Sequence, residues 1–341
     1  MAIRMIVFDY RDTEREFFRT HELENFDITF FEFSLNEENL DKIPQDVFNT
    51  AVVVSVFINS DVSEKVINAF KNLRIISTRS TGVEHINRRV AESKNISIVN
   101  VELYGARSVA QFTFCLIMSL VRHVIPASKY VLDDKYKNMN FVGRDISKLT
   151  LGVVGTGSIG VSVCKIAKSF GMKVIVYDLV EKQELTKKLD IKYVSFNTLL
   201  RESDIVTLHI PYTGDNRNMF GREQFAIMKN TAYIINTSRG ELLNIKDFYD
   251  AISMGAIKGG ALDVVTCEDV TFKYNEFYND TEADYNCLEE VKLIQELAKH
   301  PEIIITPHIA YETQDAIDYI LQVTFIAIIE IVKGENMYRS F

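Results

Sequence analysis

The sequence lacks any excess of positive charge. Its 341 residues include 38 Lys and Arg against 47 Asp and Glu, which gives a formal net charge of -9. Nucleic acids and anionic membrane surfaces are bound by clustered lysine and arginine. We therefore expect neither as a partner. A small acidic substrate stays open, because it needs only one local positive site.

Paired cysteines and long apolar runs are also missing. The four cysteines, at positions 115, 164, 267 and 287, form no CxxC motif, and we interpret them as thiols in a reducing compartment with no metal site. The longest apolar stretch, residues 112–121, is too short to span a bilayer. The N-terminal MAIRMIVFDY carries charges within a strand pattern, unlike a signal peptide. These absences predict a cytoplasmic protein.

Short apolar runs alternate with helix-length amphipathic segments in the first third of the chain. Residues 12–23, 62–72 and 84–94 have helical spacing. Alternation of this kind indicates a parallel sheet with crossover helices. A longer helical pattern follows at 106–131, and Pro126 is expected to kink or shorten it. The predicted strands are 3–10, 51–57, 73–79 and 96–101.

The same rhythm restarts in the second half. Six further strand patterns with helices between them suffice for a complete doubly wound sheet. At roughly 100–200 residues per domain, we expect two α/β units in tandem. A last helical pattern spans 312–333, and the acidic, aromatic segment 269–290 has little periodicity, which is typical of a long loop or insertion. The six strand patterns are 149–155, 173–178, 204–210, 232–238, 258–265 and 302–308.

The stretch VVGTGSIG (153–160) places Gly155, Gly157 and Gly160 between a strand pattern and a helical one. In that context the first glycine permits a tight turn, the second lets a pyrophosphate approach the backbone, and the third lets helix and strand pack closely. The next strand ends on Asp178, whose carboxylate can accept hydrogen bonds from a ribose 2′-hydroxyl and repels a 2′-phosphate. Since no arginine follows in LVEK, NAD is favoured over NADP. The alternative is a plain turn with a solvent-facing carboxylate.

Charged side chains follow three of the later strand patterns. Arg239, Glu268 and His308 come just after them, and in a doubly wound sheet ligands bind at the carboxyl ends of the strands. Taken singly, each has a structural explanation: a solvent-facing arginine, one more acid in an acidic loop, a packed or capping histidine. Together they suit reduction of a 2-keto acid. His308 would protonate the carbonyl oxygen, Glu268 would orient the ring and raise its pKa, and Arg239 would hold the carboxylate and polarise the carbonyl.

With these residues the chain resembles the D-isomer-specific 2-hydroxyacid dehydrogenases from about residue 3 to 333. Arg, Glu and His in this order are that family's catalytic set, and they fall on Arg239, Glu268 and His308. The wide Glu-to-His spacing and NVELYG (100–105) resemble the D-lactate dehydrogenase branch, whose active-site tyrosine falls on Tyr104. The matching blocks are STRSTGVEHIN (77–87), VVGTGSIG (153–160), NTSRG (236–240), ALDVVTCE (261–268) and TPHIAYET (306–313).

The resemblance implies an α/β fold of two Rossmann-like, doubly wound parallel-sheet domains with the active site in the cleft between them. Residues 1–101 with 307–341 would form the substrate domain and 102–306 the NAD-binding domain. Backbone amides around Thr81 and Gly82 would hold the substrate carboxylate with Arg239. A homodimer through the NAD-binding domain is also implied, for which the helix at 106–131 offers an apolar face. Beyond the glycines, the implied cofactor contacts are Ser158, Ile159, Asp178, Ile210, Pro211, Asn216, Thr237, Ser238, Arg239 and Asp263.

Some positions depart from the family pattern. Gly105-Ala106 replaces the usual Ser-Pro, Glu102 replaces a proline, and Glu84 and Asn87 replace aspartates. These changes leave the side-chain preference of the substrate open. We therefore expect an NAD-dependent D-lactate dehydrogenase, with two alternatives: an enzyme for bulkier 2-keto acids such as 2-ketoisocaproate or phenylpyruvate, or a non-catalytic, NAD-sensing protein like the corepressors that share this fold.

Overall fold

The computed structural model describes residues 2–21, 23–101, 105–132, 134, 137–273 and 285–334. The chain divides into two units, one of Met1–Tyr104 with Glu312–Phe341 and one of Gly105–Tyr311. The expected divisions, after residues 101 and 306, lie within five residues of these. No helix in the described residues is long and apolar enough to cross a membrane.

The first unit is built on a parallel sheet of five strands in the order β2-β1-β3-β4-β5. The inner strands are buried on both faces, because crossover helices cover both sides of a parallel sheet; all four residues of Val53–Val56 are buried, for example. The strands are β1 (Ile3–Val7), β2 (Phe26–Phe30), β3 (Val53–Val56), β4 (Ile75–Thr78) and β5 (Ser97–Val99), and the helices are α1 (Arg15–Thr20), α2 (Gln45–Thr50), α3 (Glu64–Ala69) and α4 (Arg88–Ser93).

Strand β2 was not predicted from the sequence. It lies at the edge of the sheet and alternates polar with apolar residues, and none of its five residues is buried. A search for continuous apolar runs finds inner strands of parallel sheets and passes over such an edge.

The second unit holds a parallel sheet of seven strands in the order β12-β11-β10-β9-β6-β7-β8. The prediction of six strands missed β8, a two-residue edge strand. The register aligns Asn236 with Leu262 and Leu262 with Ile305, so three neighbouring strands end at the same level. The strands are β6 (Thr150–Val154), β7 (Lys173–Tyr177), β8 (Lys192–Tyr193), β9 (Ile205–Leu208), β10 (Tyr233–Asn236), β11 (Gly259–Leu262) and β12 (Ile303–Ile305).

Helices cover both faces of the second sheet and complete two apolar cores. The first helix of this unit, α5 (Ala106–Val121), buries Phe114, Ile117 and Leu120 in one of these cores. The helices are α5 (Ala106–Val121), α6 (Val124–Lys129), α7 (Ser158–Ser169), α8 (Gln183–Leu189), α9 (Phe196–Glu202), α10 (Arg222–Ile227), α11 (Ile245–Ser253), α12 (Glu268–Lys273) and α13 (Tyr285–Leu297); α14 (Gln314–Val332) returns to the first unit, where Leu321 and Phe325 join its core.

The single helix predicted over 106–131 is two helices, and Pro126 is not where the chain bends. The break falls at His123, which adopts a left-handed conformation with φ of 52° between α5 and α6. Pro126 is the third residue of α6. A proline there removes no intrahelical hydrogen bond, because the first-turn amides have no partner within a helix.

The segment 269–290 was interpreted as a loop, and this is wrong at both of its ends. Helix α12 runs to Lys273 and α13 begins at Tyr285. Residues 269–290 mix acidic and aromatic residues with little periodicity, which hides these two helices in the sequence. The middle of the segment lies outside the described residues.

Candidate active site

The glycine loop connects β6 to α7 and has the shape that a dinucleotide requires. Gly155 adopts φ of 97°, and a side chain there would overlap the carbonyl of His209. A Cβ atom at Gly160 would overlap the carbonyl oxygen of Gly155. At Gly157, by contrast, a Cβ atom would meet nothing within 4 Å. The fold thus requires glycine at positions 155 and 160. Gly157 instead leaves open space before the first amides of a 12-residue helix.

Asp178 follows β7 and is held against the glycine loop by one buried residue. The amide and the hydroxyl of Thr156 donate to Oδ2 of Asp178 at 2.6 and 2.7 Å. Burial raises the pKa of Asp178, but the hydrogen bonds from Thr156 and from the amides of Val180 and Leu179 outweigh it, so the net pKa lies below its ordinary value. The carboxylate is therefore ionised and fixed at the end of its strand.

Most of the remaining predicted cofactor residues lie on the same edge of the sheet, after β9, β10 and β11. The hydroxyl of Ser238 donates to the carbonyl of Ile210, which ties the loop after β10 to the loop after β9. Asn216 donates to the carbonyl of Pro211 at 2.9 Å. Thr237 is buried, with its hydroxyl 3.2 Å from that of Thr113. The loops are thus fixed by their own hydrogen bonds. Ser158 and Ile159 begin α7.

His308 and Glu268 form a hydrogen-bonded pair. Nδ1 of His308 lies 2.8 Å from Oε2 of Glu268. A carboxylate can only accept, so Nδ1 carries the proton and Nε2 is the nitrogen left to exchange a proton with a ligand. The two side chains are 27% and 30% exposed, so the pair is partly open to its surroundings.

Asp263 holds the loop that carries His308. Its fully buried carboxylate accepts from the hydroxyl of Thr306 at 2.5 Å and from the amides of Ile309 and Ala310 at 3.0 and 2.8 Å. His308 itself adopts a left-handed φ of 57°. The predicted cofactor contact of Asp263 stays a prediction, whereas three of its hydrogen bonds go to the histidine loop.

Arg239 follows β10 and stands beside this pair of loops. A side chain at Gly240 would overlap the carbonyl of Val265, so the arginine segment packs directly on the backbone that leads to Glu268. Nη1 of Arg239 donates to the carbonyl of Ser238 at 2.8 Å. Within the described residues no carboxylate pairs with this guanidinium. It is a half-buried cation suited to an anionic ligand.

The predicted substrate residues of the first unit lie in the turn after β4. Thr81 is exposed, and its hydroxyl donates to the carbonyl of Val101 at 3.1 Å. The Glu84 carboxylate is packed close over Gly82, where a Cβ atom would overlap it. The role of Thr81 and Gly82 in holding a carboxylate stays a prediction. Tyr104, the predicted active-site tyrosine, lies outside the described residues.

The prediction of four unpaired thiols is wrong for two of them. Cys267 and Cys287 form a disulfide, with Cα atoms 5.7 Å apart, and Cys115 and Cys164 are free. The bond joins the residue before Glu268 to helix α13. Sequence spacing cannot reveal such a pairing, because the two residues are 20 positions apart and meet only once α12 and α13 are packed.

Three residues around Asp178 were missed by sequence reasoning. The Thr156 hydroxyl, which donates to Asp178, lies 3.0 Å from the Tyr193 hydroxyl and so accepts from it; Tyr193 in turn accepts from the amide of Lys182 at 3.2 Å. Thr156 could have been noticed, since it lies inside the glycine motif. Lys182 is the last residue of LVEK (179–182), close after Asp178, so its positive charge was visible there as well. Tyr193 carries no such local signal.

Comparison with known proteins identifies the relatives of this chain. Residues 114–310 match the family model described as "D-isomer specific 2-hydroxyacid dehydrogenase, NAD binding domain". An aromatic 2-oxoacid reductase of Clostridium sporogenes is 32% identical over 82% of this chain and 83% of its own length. A D-specific alpha-keto acid dehydrogenase of Enterococcus faecium is 34% identical over 85% of this chain and 84% of its own length.

Solved structures include a protein of the same fold with ligands bound. The D-lactate dehydrogenase of Aquifex aeolicus, crystallised with NAD and lactic acid, superimposes with a TM-score of 0.81 at 31% identity. The match covers 97% of this chain and 96% of that one. The similarity therefore extends over both units of the chain.

Proposed function

The chain belongs to the D-isomer-specific 2-hydroxyacid dehydrogenases, and from this premise we propose that it is a D-lactate dehydrogenase that interconverts pyruvate and D-lactate. Its cofactor is NAD. Two features carry the proposal: an arginine that has no carboxylate partner among the described residues, and one carboxylate–histidine pair. Both stand at the carboxyl edge of the sheet that also bears the glycine loop.

The glycine loop fits the dinucleotide. Open space at Gly157 and the first amides of α7 suit a pyrophosphate, and the ionised Asp178 suits a ribose diol. When bound, the nicotinamide supplies the hydride for the carbonyl carbon. The chain's own residues supply the charges and the proton.

Arg239 binds the carboxylate of the substrate. A guanidinium can bind a carboxylate in a bidentate manner and stabilise charge that grows on a neighbouring carbonyl oxygen. Its own hydrogen bond to the Ser238 carbonyl fixes the direction of the side chain. This pre-orientation lowers the entropy that substrate binding must offset.

His308 moves the proton. Glu268 accepts from Nδ1, which leaves Nε2–H of the charged ring to protonate the oxygen as the alcohol forms, and the neutral ring to take the proton back in the reverse direction. Glu268 also accepts from the amide of Val265 at 3.3 Å, which limits its rotation. The carboxylate therefore orients the ring.

Pyruvate is proposed as the substrate because the Aquifex aeolicus protein, matched over nearly its full length, was crystallised with lactic acid. A second candidate is a bulkier 2-keto acid. It is favoured by the Clostridium sporogenes relative, whose name specifies aromatic 2-oxoacids.

The test is an assay of NADH oxidation with pyruvate, 2-ketoisocaproate, phenylpyruvate and 2-ketoglutarate, with NADPH run in parallel. We expect the highest kcat/KM with pyruvate and NADH. Preference for phenylpyruvate or 2-ketoisocaproate would replace the substrate and keep the mechanism. Binding of NADH without turnover of any 2-keto acid would overturn the proposal in favour of a cofactor-sensing protein. A chiral analysis of the product checks the D configuration.

We also propose a homodimer, with its interface at the C-terminal end of the expected segment 106–131 and just beyond it. Helix α5 turns its apolar face to its own unit, whereas large apolar side chains are exposed beyond its end, at Val124, Val131, Leu132 and Val142. Sedimentation should show a dimer that Leu132→Glu weakens. Met254→Glu, at another exposed apolar position of the same unit, is the matched control. A monomer at all concentrations would contradict the proposal.

A further inference from the structure

We propose that Lys182 is a second determinant of cofactor choice, a cation that favours a 2′-phosphorylated dinucleotide and that Asp178 overrides. The inference rests on the proposed contact of Asp178 with the adenosine ribose. Lys182 is the last residue of LVEK (179–182), the segment that follows Asp178 and contains no arginine.

Both charges are attached to the same residue of the glycine loop. Thr156 donates its amide and its hydroxyl to the carboxylate of Asp178, and its carbonyl oxygen accepts from Nζ of Lys182 at 3.0 Å. Thr156 is fully buried, so it forms a rigid frame between them. The ammonium and the carboxylate therefore lie on one short piece of backbone, next to Gly157.

The position of Lys182 is fixed at its backbone as well as at its tip. Its amide donates to the Tyr193 hydroxyl, which donates to the Thr156 hydroxyl, which donates to Asp178. This chain of hydrogen bonds joins Lys182 to Asp178 through two side chains. Because the bond from Nζ goes to a neutral carbonyl, that bond leaves the positive charge uncompensated.

The two charges act in opposite directions on a 2′-phosphate. Asp178 is ionised, accepts from a ribose hydroxyl and repels a phosphate dianion. Lys182 attracts that dianion and gains nothing specific from a hydroxyl. The wild-type preference for NADH is then the net result of repulsion of the 2′-phosphate by Asp178 and its attraction by Lys182. The attraction by Lys182 can be measured only when the carboxylate of Asp178 is neutralised.

The experiment is a double-mutant cycle on Asp178→Asn and Lys182→Met, read by fluorescence titration of NADH and NADPH in the absence of substrate. Asn keeps the shape of Asp178, and Met keeps the length of the lysine side chain. We expect D178N to lower the Kd of NADPH by about tenfold or more, the usual size of a charge interaction with a bound ion. In that background K182M should raise the Kd of NADPH about tenfold and change the Kd of NADH less than about twofold.

Lys187→Met in the D178N background is the matched control, because Lys187 is an exposed lysine of α8, the helix that begins directly after Lys182. It should leave the NADPH-to-NADH ratio of Kd values unchanged. Added salt should weaken NADPH binding more in D178N than in D178N/K182M, since it screens the same charge.

Two results would overturn the inference. One is a K182M change that is equal for NADH and NADPH, which would mean that Lys182 only supports the glycine loop. The other is no change for either dinucleotide. Because the readout is binding, failure to reduce any 2-keto acid would defeat the proposed function and leave this result intact. Failure of the wild-type protein to bind either dinucleotide would overturn both.

Discussion

Two arginines stand just beyond a buried strand, one in each unit, and the structure surrounds them in different ways. Arg79 follows β4 in the run STRST, and Arg239 follows β10 in the run NTSRG. Arg79 is 2% exposed, pairs with Glu14 at 2.6 Å, and donates to Ser55 and to two backbone carbonyls. Arg239 is half-buried and donates to the carbonyl of its own neighbour.

The difference teaches what separates a structural charge from a binding one. Four of the five N–H groups of Arg79 have acceptors inside the first unit, so this guanidinium has little capacity left for a ligand. Arg239 keeps most of its donors. A buried polar group is satisfied by the fold, whereas a functional one is left for the substrate to satisfy.

The largest expected effect breaks the structural side of the comparison. Arg79→Met leaves the carboxylate of Glu14 buried without its partner, so the free energy of unfolding should fall by about 3–5 kcal/mol in urea titrations. Arg15→Met removes an exposed arginine of the neighbouring helix, whose pair with Asp12 is open to solvent, and should cost less than about 1 kcal/mol. Equal losses in the two variants would contradict this reading of Arg79. The pair E14M/R79M should recover part of the loss.

The second prediction breaks the functional side. Arg239→Gln should lower kcat/KM for the preferred 2-keto acid by about 100- to 1000-fold, because it removes the cation that the substrate and its transition state share. The urea midpoint should stay near that of the wild type. Arg222→Gln, at an exposed arginine of the same unit, should leave both quantities unchanged. A large drop in stability for R239Q would make Arg239 a structural residue like Arg79.

The third prediction concerns the support of Glu268. The disulfide closes a loop with a sequence separation of 20 residues, so Cys287→Ser should lower the free energy of unfolding by about 3 kcal/mol. It should also weaken turnover, since Cys267 precedes the carboxylate that orients His308. A dithiol reductant should reproduce both effects in the wild type. Cys115→Ser, at an exposed free cysteine, is the control, and an effect of equal size there would argue against the bond.

The last prediction extends the comparison to two histidines, the partly exposed His308 and the buried His209. Burial lowers the pKa of His209 from 6.5 to about 3. Between these values the unfolded chain binds a proton that the folded chain does not, so stability is present above pH 6.5 and falls as the pH drops toward 3. Below pH 6.5, His209→Gln should reduce the slope of the unfolding free energy against pH by about 1.4 kcal/mol per pH unit. An unchanged slope would contradict the assignment.

Much of the fold and part of the candidate site were predictable from the sequence. The inner strands show as apolar runs because a parallel sheet is buried on both faces, and the glycine loop shows because Gly155 and Gly160 cannot carry side chains where they stand. Arg239, Glu268 and His308 could be chosen because polar residues directly after such strands reach one edge of the sheet. Each of these signals lies within a short stretch of residues, so it can be identified from the sequence alone.

Only the tertiary structure decided the rest. Edge strands β2 and β8, the Cys267–Cys287 bond and the path from Asp178 through Thr156 to Tyr193 depend on contacts between separate elements of the chain. The bend at His123 is not where the nearby proline predicts it. The same holds for the contrast between Arg79 and Arg239, whose neighbours in the sequence look alike. Which acceptors surround a guanidinium is set by packing between elements, and packing has no periodicity that a sequence displays.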